Sequence, residues 1–496
     1  MSKSARKSVL PSKPHGYEFQ GPPGALVLSL GLPLVCYLAA FVCNDVSGCP
    51  IPSALHPPSL TLAKVKEEAG WPQDGLMGLA SLRVSGFVLA YYLLSLVLQA
   101  ALPGLVQQGV KLRSGARLEY KFNAFSSAMT ILLGAAIGTY LNGADFVLWT
   151  FIWDNYTQLI TVNLGIAFAL SCFVYYRSFS VKAGNKHKRE LAPGGHSGNL
   201  IYDWFIGREL NPRITFPVIG TIDIKAFCEL RPGMLGYVLL DLAFVAHQYK
   251  IYGFVSDSII LITTFQSLYV FDALWMEPAI LSTMDITTDG FGFMLAFGDL
   301  VWLPFIYSLQ ARYLAVHPVH LGLSGVAGVL AVQAFGYWIF RSANNEKNRF
   351  RTNPKDPRVA HLQYMKTSSG GTLLTSSWWG FCRHPNYLGD WIMAWSYSLP
   401  TGISGYVVKH GSPVMMSHGD MIDGEGVVSG GPMKQQILQG DARGWGMLIT
   451  YFYVLYFAVL LIHREMRDEE ACKRKYGEDW ENYKEKVRWR LLPGIY

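Results

Sequence analysis

The sequence is poor in charge. Asp, Glu, Lys and Arg together make up 16% of its 496 residues, against about 25% in soluble domains. That shortage excludes an ordinary water-soluble globular chain. The seven cysteines, at 36, 43, 49, 172, 228, 382 and 472, contain no CxxC and no metal-ligand spacing, which leaves out a zinc module and a dithiol redox motif. Cys43 and Cys49 flank one loop and could pair, although free thiols are the expectation. No GxxxxGK[ST] occurs, and no GxGxxG follows a strand pattern, so a P-loop and a Rossmann domain are both missing. Gly290-Phe-Gly292 is a lone GxG in apolar surroundings. Any bound nucleotide must therefore sit among helix ends. No internal repeat is evident, and the Asn155-Tyr-Thr157 sequon lies inside an apolar run.

What is present is apolar: 51% of residues are hydrophobic and 14% aromatic. About ten runs are long enough to cross a bilayer at ~20 residues each. They lie near 24–44, 84–106, 124–142, 145–175 (one long or broken helix), 233–253, 257–276, 291–311, 319–340, 386–402 and 443–463. The fold class expected is an all-α polytopic membrane protein of about ten helices. Lys and Arg crowd residues 1–23, 107–122, 176–231, 341–366 and the tail, and are sparse in 45–83, 142–146, 312–318 and 403–442. Positive charge marks the cytosolic side, so both termini are expected there. The organisation expected is a short basic N-terminus over 1–23, a transmembrane domain over 24–463, and a cytosolic C-terminal segment over 464–496. Residues 403–442, rich in Gly and Met, read as a flexible lumenal insert. The first apolar run is too long for a signal-peptide core and reads as a retained helix.

Ionisable residues in apolar company are functional candidates. From Tyr269 to Asp299 the chain carries Asp272, Glu277, Asp285, Asp289 and Asp299 with no Lys or Arg. Buried acids are held protonated and can act as proton donors; alternatively, Asp285 and Asp289 cap helices before Gly290. The charges of "FIGRELNPRI" and "IDIKAFCELRPG" read as salt bridges of a membrane-surface loop. In "RSANNEKNRFRTNP", Lys347 and Arg351 stand at i and i+4, on one helical face. They suit a phosphate, or are ordinary cytosolic-side charge. "LLTSSWWGFCRHPNYLGD" sets Trp379 beside Asn386, Tyr387 and Asp390, for stacking and hydrogen bonding, or as an interfacial aromatic belt. In the tail Arg464, Asp468, Cys472, Tyr476 and Tyr483 fall on one stripe at 100° per residue.

These motifs, with "TMDITTDGFGFMLAFGDLVWLPF", "HREMRDEEACKRKYGEDWENYKEKV" and the closing "RLLPGIY", occur in an order that resembles the sterol reductase family. The likeness is to its delta-14 reductases and to the membrane region of the lamin B receptor. It departs from the family at "SSWWG" (commonly SGWWG), at "MEPA" (commonly NEEA), and in the longer 403–442 loop. The resemblance implies NADPH in a cytosolic-side pocket of the C-terminal half. Its contacts would be Lys347, Arg351, Leu374, Trp379, Asn386 and Tyr387, then Asp468, Cys472, Tyr476 and Tyr483, with Asp390 and Arg464 as neighbours. It also implies a membrane sterol as substrate and an endoplasmic reticulum location, with other sterol-biosynthesis enzymes as partners and no nucleic acid.

The implied reaction reduces the C14–C15 double bond of a sterol 8,14-diene, with Tyr269, Glu277, Asp285 and Asp289 as candidates for proton donor or relay. Alternatives are reduction at C7–C8 or C24–C28, or a lamin-receptor-like scaffold, for which the stretch before residue 24 leaves no long basic chromatin-binding region. An isoprenylcysteine-type methyltransferase shares "RHPNYLG", but has no counterpart to residues 200–360.

Overall fold

The structure, a computed structural model, describes residues 16–44, 60–181, 189–217, 219–402 and 447–496, the single positions 51, 53 and 58, and the backbone of three short strands between 406 and 439. It is mostly helical, as a bilayer requires, because a helix satisfies its own backbone hydrogen bonds. Among the described residues seven segments are long and apolar enough to cross a membrane: Gly21–Val42, Gly75–Ala101, Ala124–Asp145, Tyr156–Ser178, Asp257–Trp275, Phe293–Val316 and Gly322–Thr352. The run expected over 145–175 is broken: a helix Val147–Asp154 precedes the spanning one.

Three of the ten expected spans fall short, each for its own reason. Met234–Tyr252 is helical but carries Asp241, His247, Gln248 and Lys250. Pro385–Ser398 has 14 residues, about 21 Å of helix against ~30 Å of hydrocarbon. The helix Phe452–Tyr476 turns polar at His463, and residues 441–446 lie outside the described residues.

The chain divides into two compact units, one of residues 1–47, 56–253 and 267–308, the other of 48–55, 254–266 and 309–496. In the first, α1 (Gly21–Val42), α2 (Leu82–Ala101), α3 (Ala124–Asn142) and α4 (Tyr156–Ser178) are tied by buried hydroxyls and amides. Tyr37 and Thr161 share a hydrogen bond of 2.6 Å, and the Tyr92 hydroxyl donates to Asn163 Oδ1 at 2.5 Å. An antiparallel hairpin, β1 (Leu105–Lys111) and β2 (Arg117–Phe122), joins α2 to α3. The GxG at 290–292 is a packing device. A Cβ on Gly290 would lie 1.9 Å from the carbonyl oxygen of Gly207, and one on Gly207 would lie 2.4 Å from the carbonyl carbon of Gly290. Phe291 N–H donates to Glu209 O at 3.0 Å, and Glu209 accepts from Arg189 at 2.6 and 2.7 Å. The Glu209 charge of "GREL" is thus salt-bridged, as read from the sequence, whereas Arg208 donates to Ser178 Oγ at 3.2 Å and lies over the Phe179 ring.

In the second unit α5 (Gly322–Thr352) crosses α6 (Pro385–Ser398) at Gly336 and Gly389. A Cβ on Gly389 would meet Phe340 N at 2.6 Å, and one on Gly336 would meet Met393 N at 2.8 Å. The two backbones therefore approach as far as glycine allows. A short hairpin, β3 (Tyr364–Lys366) and β4 (Thr372–Leu374), lies between them in the chain. α7 (Phe452–Tyr476) ends at Gly477, whose φ of 55° turns the chain into α8 (Glu478–Lys486). The boundary expected at residue 464 falls inside α7.

Cys43 is disulfide-bonded, which corrects the expectation of a free thiol there; Cys49 lies outside the described residues. So does most of 403–442, apart from the backbone of Tyr406–Lys409, Val428–Ser429 and Gln436–Gln439, the last pairing antiparallel with each of the others.

Candidate functional site

The second unit holds a cavity of about 320 Å³ where the ends of α5, α6, α7 and α8 meet β4. Ten of the twelve residues expected at a cofactor site line it. α5 supplies Lys347 and Arg351, β4 supplies Leu374, the helical turn Trp378–Phe381 supplies Trp379, and α6 supplies Asn386 and Tyr387. Asp468, Cys472 and Tyr476 come from α7, and Tyr483 from α8. The single stripe read through the tail is corrected at Gly477. Tyr483 reaches the cavity because the chain bends there, not because one helix continues.

The walls are held by specific bonds. Lys347 Nζ lies 3.7 Å from the centroid of the Trp379 ring, a cation–π contact. The buried indole N–H of Trp379 donates to Ala343 O at 3.0 Å. One face of Trp379 is therefore occupied by Lys347 and unavailable to a base. The Tyr387 hydroxyl donates to Asp468 Oδ2 at 3.0 Å, and the His384 ring stacks on Tyr387 at 5.0 Å. Tyr476, Trp480 and Tyr483 form a run of stacked rings, with centroids 6.3 and 5.1 Å apart. Asp390 and Arg464 do not line the cavity. The Arg464 charge acts on both Asp390 and Asp468.

Electrostatics sort the polar groups. Burial, then the charges of Lys347, Arg383 and Arg490, push His384 down to about 3. The Asp468 carboxylate stands 4.0 Å from its Nδ1 and is outweighed, so the ring is neutral. Burial also raises Asp468, against the Tyr387 hydrogen bond and the Lys347 charge, and lifts the Cys472 thiol to about 11. Cys472 thus stays protonated.

Sequence reading missed Phe350, Arg383, His384, Lys475 and Trp480 on the same walls. His384 stands within the motif that supplied Asn386, and so carried a usable signal; Trp480 lies beyond the Gly477 turn, on α8. Arg383 is committed elsewhere: its Nη1 donates to Val487 O and Arg488 O at 3.0 and 3.1 Å, fastening the C-terminal segment.

In the first unit the acids have cationic company that the local sequence lacks. Lys225 Nζ, fully buried, donates to the backbone carbonyls of Asp285 and, at 2.6 Å, Asp289. Glu277 accepts from Ala124 N–H with both oxygens, at 3.0 and 2.9 Å, and lies 4.0 Å from Arg231. It caps α3. Asp289 is buried and Tyr269 partly exposed. The reading of five acids without a basic partner is corrected, since Lys225 and Arg231 arrive from a distant stretch of chain.

The family model for the ergosterol biosynthesis ERG4/ERG24 family matches residues 13–496. The chain belongs to that family. It is 56% identical to Delta(14)-sterol reductase ERG24A of Gibberella zeae, over 99% of this chain and 100% of that one. It is 56% identical to Delta(14)-sterol reductase of Neurospora crassa, over 99% and 98%. With Delta(14)-sterol reductase erg24 of Schizosaccharomyces pombe the identity is 42%, over 99% and 100%. In this family member the cavity brings Lys347, Arg351 and Lys475 together with stacked rings and the buried Asn386 Oδ1, which has no hydrogen-bond partner among the described residues. That set of groups fits a ligand bearing phosphate, a flat ring and an N–H or O–H donor.

Proposed function

We propose that the protein is an NADPH-dependent delta-14 sterol reductase of the endoplasmic reticulum membrane, with both termini cytosolic. The observation that carries this reading is identity of 42–56% over nearly the whole chain with relatives named for that reaction. The chemistry of the cavity supports it. Lys347 and Arg351 hold phosphate, including a 2′-phosphate, Asn386 accepts from an amide or hydroxyl, and Tyr476 and Tyr483 offer ring faces. Neutral His384, stacked on Tyr387, and the Tyr387–Asp468 hydrogen bond keep the wall rigid. NADPH supplies the hydride when bound.

The substrate is a membrane sterol 8,14-diene. A carbon–carbon double bond that carries no carbonyl or other electron-withdrawing group accepts hydride poorly, so a proton must come first or together with it. Addition of a proton at C15 leaves a cation at C14, which hydride then fills. The proton passes through the carboxyl groups of the first unit. Of Tyr269, Glu277, Asp285 and Asp289, Glu277 is the one engaged as a helix cap, and Asp285 and Asp289 are the stronger candidates. Lys225 holds their backbone in place.

The test is an NADPH-consumption assay on purified protein with 8,14-diene, 7-ene and 24(28)-ene sterols. Turnover of the 8,14-diene alone is expected. Reduction of another sterol in its place would reassign the bond, and turnover of none by folded protein would remove the enzyme reading.

A further inference from the structure

α5 carries a second basic face. Lys347 and Arg351 point toward the cavity described above; Arg341, Asn345 and Arg349 follow one another at i+4 on the opposite side. They line a separate groove of about 560 Å³ together with Trp338, Glu346 and Trp378, within the ~300–1,000 Å³ usual for small-ligand sites. The groove starts where the apolar part of α5 ends. Leu330 and Phe335, just before it on the helix, are exposed large apolar residues, as expected of a surface that meets acyl chains.

The polar groups of the groove are of two kinds. Arg341 Nε contacts the Tyr337 hydroxyl at 3.2 Å, and Arg358 is oriented by Asp356 through bonds of 3.0 and 2.7 Å. Arg349 is exposed. Arg341 and Arg349 make the rim electropositive, while Asp356 offsets the charge of Arg358. Glu346 is different. Its Oε2 accepts from the Ser377 hydroxyl at 2.7 Å and the carboxyl also takes a backbone hydrogen bond from Trp378, whereas among the described residues its buried Oε1 has no partner of good geometry. A buried acceptor without a donor is costly. A ligand that satisfies both kinds carries an anion for the arginines and an N–H donor for Glu346, on an apolar stem lying along α5. The aromatic pair Trp338–Trp378, edge to face at 5.1 Å, forms the interfacial wall beside it.

We infer that this groove binds the headgroup of a phospholipid carrying a primary amine, with its phosphate against Arg341 and Arg349 and its ammonium on Glu346. A trimethylated ammonium has no N–H to give Oε1, so an ethanolamine lipid is preferred over a choline lipid. The inference does not depend on the proposed reaction. It also gives the two adjacent tryptophans separate tasks, Trp378 at the lipid groove and Trp379 at the other cavity.

The experiment is native mass spectrometry of the full-length protein in detergent, titrated with dioleoyl phosphatidylethanolamine, dioleoyl phosphatidylcholine, dioleoyl phosphatidic acid and chain-free glycerophosphoethanolamine. The ethanolamine lipid is expected to bind at least about fivefold more tightly than the choline lipid, and R341Q/R349Q to weaken it by about tenfold, as loss of charge-assisted bonds does. E346Q should abolish the preference between the two headgroups and leave phosphatidic acid binding intact. If the double variant does not fold, S342D, which adds an anion at the rim, should produce the same loss. Equal affinity for ethanolamine and choline lipids, unchanged binding in R341Q/R349Q, or binding of glycerophosphoethanolamine as tight as that of the whole lipid would each overturn the inference.

Discussion

The ammonium of Lys347 rests 3.7 Å from the centre of the Trp379 ring, and the ring is fixed in turn by its N–H bond to Ala343 O on the same helix as the lysine. The cation is thus aimed by an aromatic plate and not by an acid, so its charge is not consumed by a salt bridge. A phosphate can collect it.

The first prediction concerns the neighbouring cation. Arg351 lines the cavity and is exposed. Arg351→Ala is expected to raise KM for NADPH about tenfold or more, the worth of a charge-assisted bond, and to change KM for NADH little. Steady-state kinetics with both dinucleotides decides it. Equal loss for the two would remove the 2′-phosphate from Arg351.

Stability should depend on His384 in acid. Its folded value, about 3, lies below the ordinary 6.5. Between these values the unfolded ring binds a proton and the folded one does not, so stability falls as pH drops from about 6.5 toward 3. His384→Gln should flatten that slope in thermal melts taken from pH 7 to pH 4. An unchanged slope would mean that the ring does take up a proton in the fold.

The contact between Gly207 and Gly290 predicts a folding defect with no chemistry involved. Gly290→Ala would place a methyl group 1.9 Å from Gly207 O, whereas Gly298 has nothing within 4 Å of where a Cβ would go. Gly290→Ala should fail to give monodisperse solubilised protein, and Gly298→Ala should behave as wild type in size-exclusion chromatography.

Among the acids, stability and turnover should separate. Glu277→Gln weakens a two-pronged cap on Ala124 N–H and should cost about 1–3 kcal/mol in unfolding experiments, with kcat largely kept. Asp289→Asn leaves the backbone carbonyl on Lys225 in place and should lower kcat by at least about a hundredfold, the typical worth of a general acid, without altering NADPH affinity. The reverse pattern would make Glu277 the proton donor.

Much was legible in the chain itself. Apolar runs of spanning length and the alternation of basic loops dictate a helical membrane protein, because hydrocarbon tolerates only internally bonded backbone. The i, i+4 spacing of Lys347 and Arg351 put both cations on one face before any neighbour was known. Motif order pointed to the remaining residues of the cavity. Two other matters were settled by tertiary structure. Gly477 turns the tail, so Tyr483 arrives from a second helix. Lys225 and Arg231 reach acids that lie 60 and 46 residues away in the chain (285 − 225 and 277 − 231). Local sequence records side-chain type and period, but which distant cation meets which acid depends on how the helices pack, and no window of sequence contains that.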